Sequence, residues 1–154
     1  DEIYSRGFMT DLSKVRRNET SQLVYHKTLN YGDCILEKRA AAAAGINEKI
    51  FINTKGQISE GTVCNVFFVR KNMIYTPQLS CGLLPGILRE YIMERFQVTE
   101  TIIYPDELMY YEECFVTNSL MGVMPVRQLG NICFPHRAKA DEVRKVYEKE
   151  KMSL

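Results

Sequence analysis

Histidine is scarce in this chain, with His26 and His136 the only two among 154 residues. That leaves no basis for a histidine-rich metal centre. A Ser-His-Asp triad would have to use one of the two, and no nucleophile-elbow motif accompanies either. Paired cysteine spacing is missing as well. Cys34, Cys64, Cys81, Cys114 and Cys133 are odd in number and scattered, which fits neither a disulfide framework nor a zinc site. They read as reduced thiols of a cytoplasmic protein. No charge of one sign dominates: 20 Lys and Arg stand against 19 Asp and Glu, interspersed, for a net charge of +1. A nucleic-acid or anionic-membrane footprint is therefore not expected. No apolar run reaches membrane-spanning length, Ala40 to Ala44 being only a helical stretch of small residues. Asp1-Glu2-Ile3-Tyr4 lacks the basic and apolar regions of a signal peptide. Repeats and low-complexity linkers are also missing.

What is present is a succession of short elements, with enough apolar residues for one core. Ile3, Tyr4, Phe8 and Met9 predict a strand, Arg16 to Glu19 a polar loop, and Ser21 to Tyr25 a second strand. Asn30 to Ala44 has helical spacing and ends at Gly45, as a C-terminal cap requires. Lys49 to Asn53 and Gln57 to Glu60 predict strands about a Lys55-Gly56 turn. Val63 to Arg70 is too continuously apolar for a surface strand, and Lys71-Asn72 turns it into Met73 to Thr76. Pro77 to Gly82 reads as a loop. Pro85-Gly86 opens a helix to about Phe96, Val98 to Tyr104 is extended, and a short helix follows from Pro105 to Tyr111. Glu113 to Thr117, Val123 to Leu129 and Ile132 to Phe134 complete the strands, with a loop from Asn118 to Gly122. Ala138 to Lys151 is a charged amphipathic helix. The sum is one compact α+β unit.

Two polar residues stand out. Lys27 precedes the first long helix, and Glu60 lies 33 residues later in Ile58-Ser59-Glu60-Gly61-Thr62. Either alone is ordinarily a solvated surface residue. A lysine at a strand end, partly desolvated in a cleft, has a lowered pKa and becomes a nucleophile and base. A carboxylate can keep a pyridine nitrogen protonated, so the pair matches the needs of pyridoxal-phosphate chemistry. Leu84-Pro85-Gly86-Ile87-Leu88-Arg89 supplies a third part, since a glycine-opened helix start offers backbone N–H groups and a positive dipole end to a phosphate. The amides of Ile87 and Leu88 are the candidate donors, and Ser119 a candidate hydroxyl.

From about Asn18 to Phe134 the chain resembles the fold-type IV, or class IV aminotransferase-like, pyridoxal-phosphate enzymes. These include branched-chain and D-amino-acid aminotransferases and 4-amino-4-deoxychorismate lyase. The matching pieces are Lys27-Thr28-Leu29-Asn30-Tyr31, Gly56-Gln57-Ile58-Ser59-Glu60-Gly61 with Asn65-Val66-Phe67, and Tyr75-Thr76-Pro77. Gly82 to Arg89 and Glu113 to Ser119 leading to Met124-Pro125-Val126 complete the set. The resemblance implies a mixed β-sheet pseudo-barrel flanked by helices, with pyridoxal 5'-phosphate as cofactor. Lys27 becomes the Schiff-base lysine and proton shuttle, and Glu60 the partner of the pyridine nitrogen. Ile87 and Leu88 hold phosphate through their amides, Ser119 through its hydroxyl, and Tyr31 approaches the cofactor's phenolic oxygen. Leu88 departs from the threonine common in the aminotransferases, so a hydroxyl contact is lost there.

The family carries an amino-terminal domain that supplies an arginine to the phosphate and closes the substrate pocket. These 154 residues are expected to lack its counterpart. Residues 1–25 are accordingly expected to be the interdomain connection and a leading strand, and 26–154 the cofactor-binding domain of a fragment. Its partner is expected to be a small-molecule amino substrate, and the full-length enzyme a homodimer. Asn118-Ser119-Leu120-Met121-Gly122 resembles the lyase loop more than the polar version in many aminotransferases. A Leu and Met lining suits a flat carbocycle, although both side chains could equally be core. The expected parent activity is therefore lyase-like elimination of pyruvate to give 4-aminobenzoate, in the folate branch. A class IV aminotransferase is the first alternative, and an inactive, cofactor-free globular fragment the second.

Overall fold

The computed structural model describes residues 2–152. Along them run α1 (Glu2–Arg6), β1 (Phe8–Arg17), α2 (Gly32–Ala43), β2 (Glu48–Asn53), β3 (Ile58–Gly61), β4 (Asn65–Arg70) and β5 (Met73–Pro77). Then come α3 (Ile87–Arg95), β6 (Val98–Thr101), β7 (Glu113–Asn118), β8 (Gly122–Leu129), β9 (Ile132–Cys133) and α4 (Ala138–Lys151). The strands form one mixed sheet in the order β3-β2-β1-β8-β7-β4-β5-β6, with β9 added to β8. β1 is parallel to both its neighbours and β5 is parallel to β6, whereas the other pairs are antiparallel. The sheet curls into a half-barrel. Ile58 N–H donates to the Ile103 carbonyl at 2.8 Å, which brings edge strand β3 against the segment after β6.

Strand alternation divides the core in two. Val66 and Phe68 of β4 join Ile50, Ile52, Ile58, Val116 and Val126 in one cluster. Phe67 and Val69 point the other way, where Phe115, Leu88 and Ile92 of α3, and Ala140 and Val143 of α4 cover them. Phe67 and Phe115 are register partners across β4 and β7, and their rings stack at 4.9 Å. Burial on both faces explains why this strand reads as a continuous apolar run. α4 is held at its start from a distance: the Glu113 carboxylate accepts the amides of Lys139 (2.9 Å) and Ala140 (3.2 Å), two donors with no partner inside the helix.

The first 25 residues correct the sequence reading. Ile3 and Tyr4 lie in helix α1, not in a strand. The Tyr4 ring lies beneath the Arg137 and Arg144 guanidinium groups and its hydroxyl bonds Asp141, so docking on α4 selects the helical turn. Arg16 and Arg17 are the last residues of β1 rather than a loop. Their charge suggested a loop, but the counter-charge of Arg17 is far away in sequence. Residues 22–25 form a 3₁₀ turn instead of a strand, with the Ser21 hydroxyl accepting Leu23 N–H at 3.3 Å, a local bond that competes with extended structure. Elsewhere the expected elements are present. Lys71 and Asn72 both have positive φ, as a two-residue hairpin turn requires.

Candidate active site

A cleft of about 830 Å³ is walled by the end of β1, the Leu23–Tyr31 loop, α2, β3, the start of α3 and the β7–β8 turn. Lys27, Tyr31, Glu60, Ile87, Leu88 and Ser119 all line it. These six residues, spread over more than ninety positions of sequence, are brought to one place by the curl of the sheet.

Glu60 is on the floor. It is a residue of β3, as expected from the sequence, and it is only 4% exposed. One carboxylate oxygen accepts Arg17 Nη2 at 2.6 Å and the other accepts Leu84 N–H at 3.0 Å. Burial pushes its pKa up to about 7, against the opposing pull of Arg17 and the Leu84 amide. For Arg17, burial works against the charge, but the charge and hydrogen bond of Glu60 outweigh it and raise its pKa overall. The two shifts differ in what they favour, Arg17 fully charged and Glu60 easily protonated. The contacts decide between them: both oxygens face donors, so the ionised carboxylate fits the geometry, in a site where that charge is held at a cost.

The Gly82–Gly86 loop delivers the start of α3. Ser59 Oγ donates to the Gly82 carbonyl (2.7 Å) and Asn65 Nδ2 to the Leu84 carbonyl (2.8 Å). Gly86 caps α3 with no side chain bonded to the free amides. A Cβ there would collide with Asn65 Oδ1. Ile87 is 78% exposed on the rim and Leu88 3% exposed in the core, so what Leu88 can offer the cleft is its backbone. Across the cleft, the β7–β8 turn is fixed by Asn118, whose Oδ1 accepts the amides of Leu120 (3.0 Å) and Met121 (2.8 Å) and whose Nδ2 reaches the Val63 carbonyl (3.0 Å). Ser119 is exposed at this turn.

Two expectations change. Lys27 follows the 3₁₀ turn rather than a strand and is exposed, not partly desolvated. It makes no hydrogen bond or ion pair among the described residues. The Leu120–Met121 pair divides: Leu120 is 96% exposed on the cleft, while Met121 packs against the core. Arg17 was missed altogether, since a basic residue in a basic pair carries no local signal of a buried carboxylate 43 positions away. Thr117 was missed too. Its Oγ1 is buried in the cleft wall without a hydrogen-bond partner.

These residues fit a phosphorylated pyridine cofactor. A carboxylate held ionised suits a ring N–H. An uncapped helix start, cleared of a Cβ at Gly86, suits an anion. The orphaned Thr117 hydroxyl and the unpartnered Lys27 ammonium leave donors for a bound group.

Residues 6–129 match the model of the family described as amino-transferase class IV, and the chain belongs to that family, whose members are pyridoxal-phosphate-dependent enzymes. It is 36% identical over 134 residues to a Thermotoga maritima protein named "Probable branched-chain-amino-acid aminotransferase", covering 83% of this chain and 48% of that protein. It is 27% identical over 143 residues to the aminodeoxychorismate lyase of Bacillus subtilis, covering 88% and 49%. The branched-chain amino acid aminotransferase of Thermobaculum terrenum, solved in its PLP form, superposes with a TM-score of 0.87 at 25% identity over 94% of this chain and 50% of that one. The chain spans about half the length of these relatives. Among the described residues no helix is long and apolar enough to cross a membrane, and all five cysteines are free.

Proposed function

We propose that this chain forms the cofactor-holding side of a pyridoxal-phosphate enzyme acting on a small amino substrate, with lyase-like chemistry that eliminates pyruvate to give 4-aminobenzoate. The observation that carries the reading is the convergence of Lys27, Glu60 and the open first turn of α3 on one cleft. When bound, the cofactor supplies an electron sink for the substrate carbanion.

The chain's residues divide the remaining work. Lys27 Nζ would hold the cofactor and, once the substrate amine has taken its place on the carbonyl carbon, the freed lysine amine would take the substrate proton and return it. Glu60, aimed by Arg17 and the Leu84 amide, holds the ring N–H with a lone pair left free by its two present bonds. The amides of Ile87 and Leu88 bind phosphate where the helix dipole favours negative charge, and Ser119 adds a hydroxyl. Tyr31, at the start of α2 on the same cleft, is the donor to the phenolic oxygen.

Leu120 supports the lyase reading, because an apolar side chain at the cleft rim accepts the face of a flat carbocycle. A class IV aminotransferase for branched-chain or D-amino acids is the second reading. It is supported by the 36% identity to the Thermotoga maritima protein, and Leu120 also accepts an aliphatic side chain. An inactive, cofactor-free globular piece is the remaining alternative. The discriminating experiment supplies pyridoxal phosphate and assays 4-aminobenzoate release from 4-amino-4-deoxychorismate beside keto-acid-dependent transamination of leucine and D-alanine. Lysine-dependent 4-aminobenzoate release is the expected outcome. Transamination alone would replace the lyase reading with the second one.

A further inference from the structure

We infer that Glu19 is a positioning residue for Lys27: its carboxylate fastens the loop that carries the lysine to the turn between β2 and β3. The inference rests on the reading of Lys27 as the residue that attaches the cofactor.

Glu19 is 7% exposed and is absent from the cleft lining, so it acts on the site only through other residues. Its carboxylate accepts Thr54 Oγ1 at 2.6 Å on one oxygen and Thr54 N–H at 3.1 Å on the other. Its carbonyl accepts the Tyr25 hydroxyl at 2.7 Å. From behind, Gly82 presses on it: at φ +86° this residue is already in the glycine region, and a Cβ would lie 2.9 Å from Glu19 Cα. Glu19 is thus held between Thr54 and Gly82 and in turn holds Tyr25, two residues before Lys27. The Thr54 hydroxyl bond keeps its carboxyl pKa below the usual carboxylate range, so the charge-assisted bonds persist at neutral pH.

Beyond Tyr25 the loop has few ties. His26 and Lys27 make no hydrogen bond among the described residues, and the next fixed point is the Tyr31 carbonyl, which accepts Ile35 N–H at 2.9 Å as α2 begins. The place of an exposed lysine is therefore set by the two ends of a short span. One end is helix α2. The other is Tyr25 on Glu19.

The test separates attachment at Lys27 from occupancy of the cleft. Pyridoxamine 5'-phosphate has the ring and phosphate but no aldehyde, so it reports the cleft without using Lys27. Pyridoxal 5'-phosphate trapped on Lys27 by borohydride reports where the lysine stands. In ligand-free protein, Glu19→Ala should raise amide exchange across residues 20–28 by about tenfold, the loss expected of charge-assisted bonds, with β4 and β7 unchanged. Trapping should slow by about tenfold while the pyridoxamine phosphate dissociation constant stays within about threefold. Thr54→Val, which removes the hydroxyl partner from the other side, should reproduce the direction of both changes.

Wild-type exchange and trapping in both variants would overturn the inference. So would a loss of pyridoxamine phosphate affinity parallel to the loss of trapping, which would make Glu19 a support of the whole cleft. If the wild-type chain binds pyridoxamine phosphate but is never trapped at Lys27, the reading of Lys27 fails separately, and the exchange measurement still judges the anchor.

Discussion

Arg17→Met should be nearly silent near pH 6 and progressively destabilising above neutrality. Glu60 has its pKa raised by burial from 4.5 to about 7 even with Arg17 beside it. A carboxyl whose pKa is higher folded than unfolded takes up a proton on folding between those two values. In the wild-type protein its contribution is therefore most favourable below about pH 4.5, declines as pH rises, and levels off above about 7. Without the guanidinium the folded pKa climbs further, and the decline continues where the wild-type curve is flat. The variant should lose stability relative to wild type progressively as pH rises above 7, by at most about 1 kcal/mol per pH unit, until pH passes the raised Glu60 pKa of the variant.

The other groups facing Glu60 do not mask this. The Leu84 amide does not titrate, and burial pushes the neighbouring Cys34 and Cys64 thiols up, away from neutrality. Methionine keeps an unbranched apolar chain over the Phe51 ring, on which the guanidinium now lies at 4.9 Å. Denaturant unfolding at pH 6 and pH 9 reads the difference directly, and Arg17→Met combined with Glu60→Gln should be free of it. A loss independent of pH would mean that Arg17 supports the fold by packing and not as the counter-charge of Glu60.

Gly86→Ala should weaken binding of pyridoxamine phosphate by about 10- to 100-fold, the worth of one or two charge-assisted hydrogen bonds. The new methyl group would meet Asn65 Oδ1, which is held in place by the bond from Asn65 Nδ2 to the Leu84 carbonyl. Relief requires the start of α3 to swing, and with it the amides of Ile87 and Leu88. No hydroxyl at position 88 shares the load, since leucine stands there and its side chain is buried. The anion site therefore depends on backbone position more than a threonine-bearing site would. Titration by calorimetry reads the effect, with unchanged exchange in β4 and β7 as the control for folding. Wild-type affinity would place the phosphate elsewhere.

Much of this site was legible in the sequence because its parts sit on locally encoded features. Pro85-Gly86 marks a helix start whatever surrounds it. The apolar run of β4 announces a strand buried on both faces, and Gly45, at φ +71°, ends α2 where the helical spacing stops. The misreadings have other origins. Ile3 and Tyr4 look like strand residues until α4 offers Tyr4 two guanidinium groups. Arg17 looks like loop until the half-barrel brings it to Glu60. Residues 22–25 look extended until the Ser21 hydroxyl captures Leu23 N–H. The third was decided by a local side-chain bond that competes with extended structure. The first two were decided by contacts made after the chain had folded back, which no spacing rule records. Exposure behaved the same way. Lys27 lines the cleft, but its solvation depends on what surrounds the loop.

The central claim is that Lys27 is the residue this cleft presents to a carbonyl cofactor. The most direct measurement incubates the chain with pyridoxal 5'-phosphate at limiting ratio, reduces with borohydride, and maps the label by peptide mass spectrometry. The account predicts close to one label per chain, on Lys27, with the accompanying absorbance band abolished in Lys27→Ala. Label scattered over exposed lysines, and unchanged in Lys27→Ala, would contradict it.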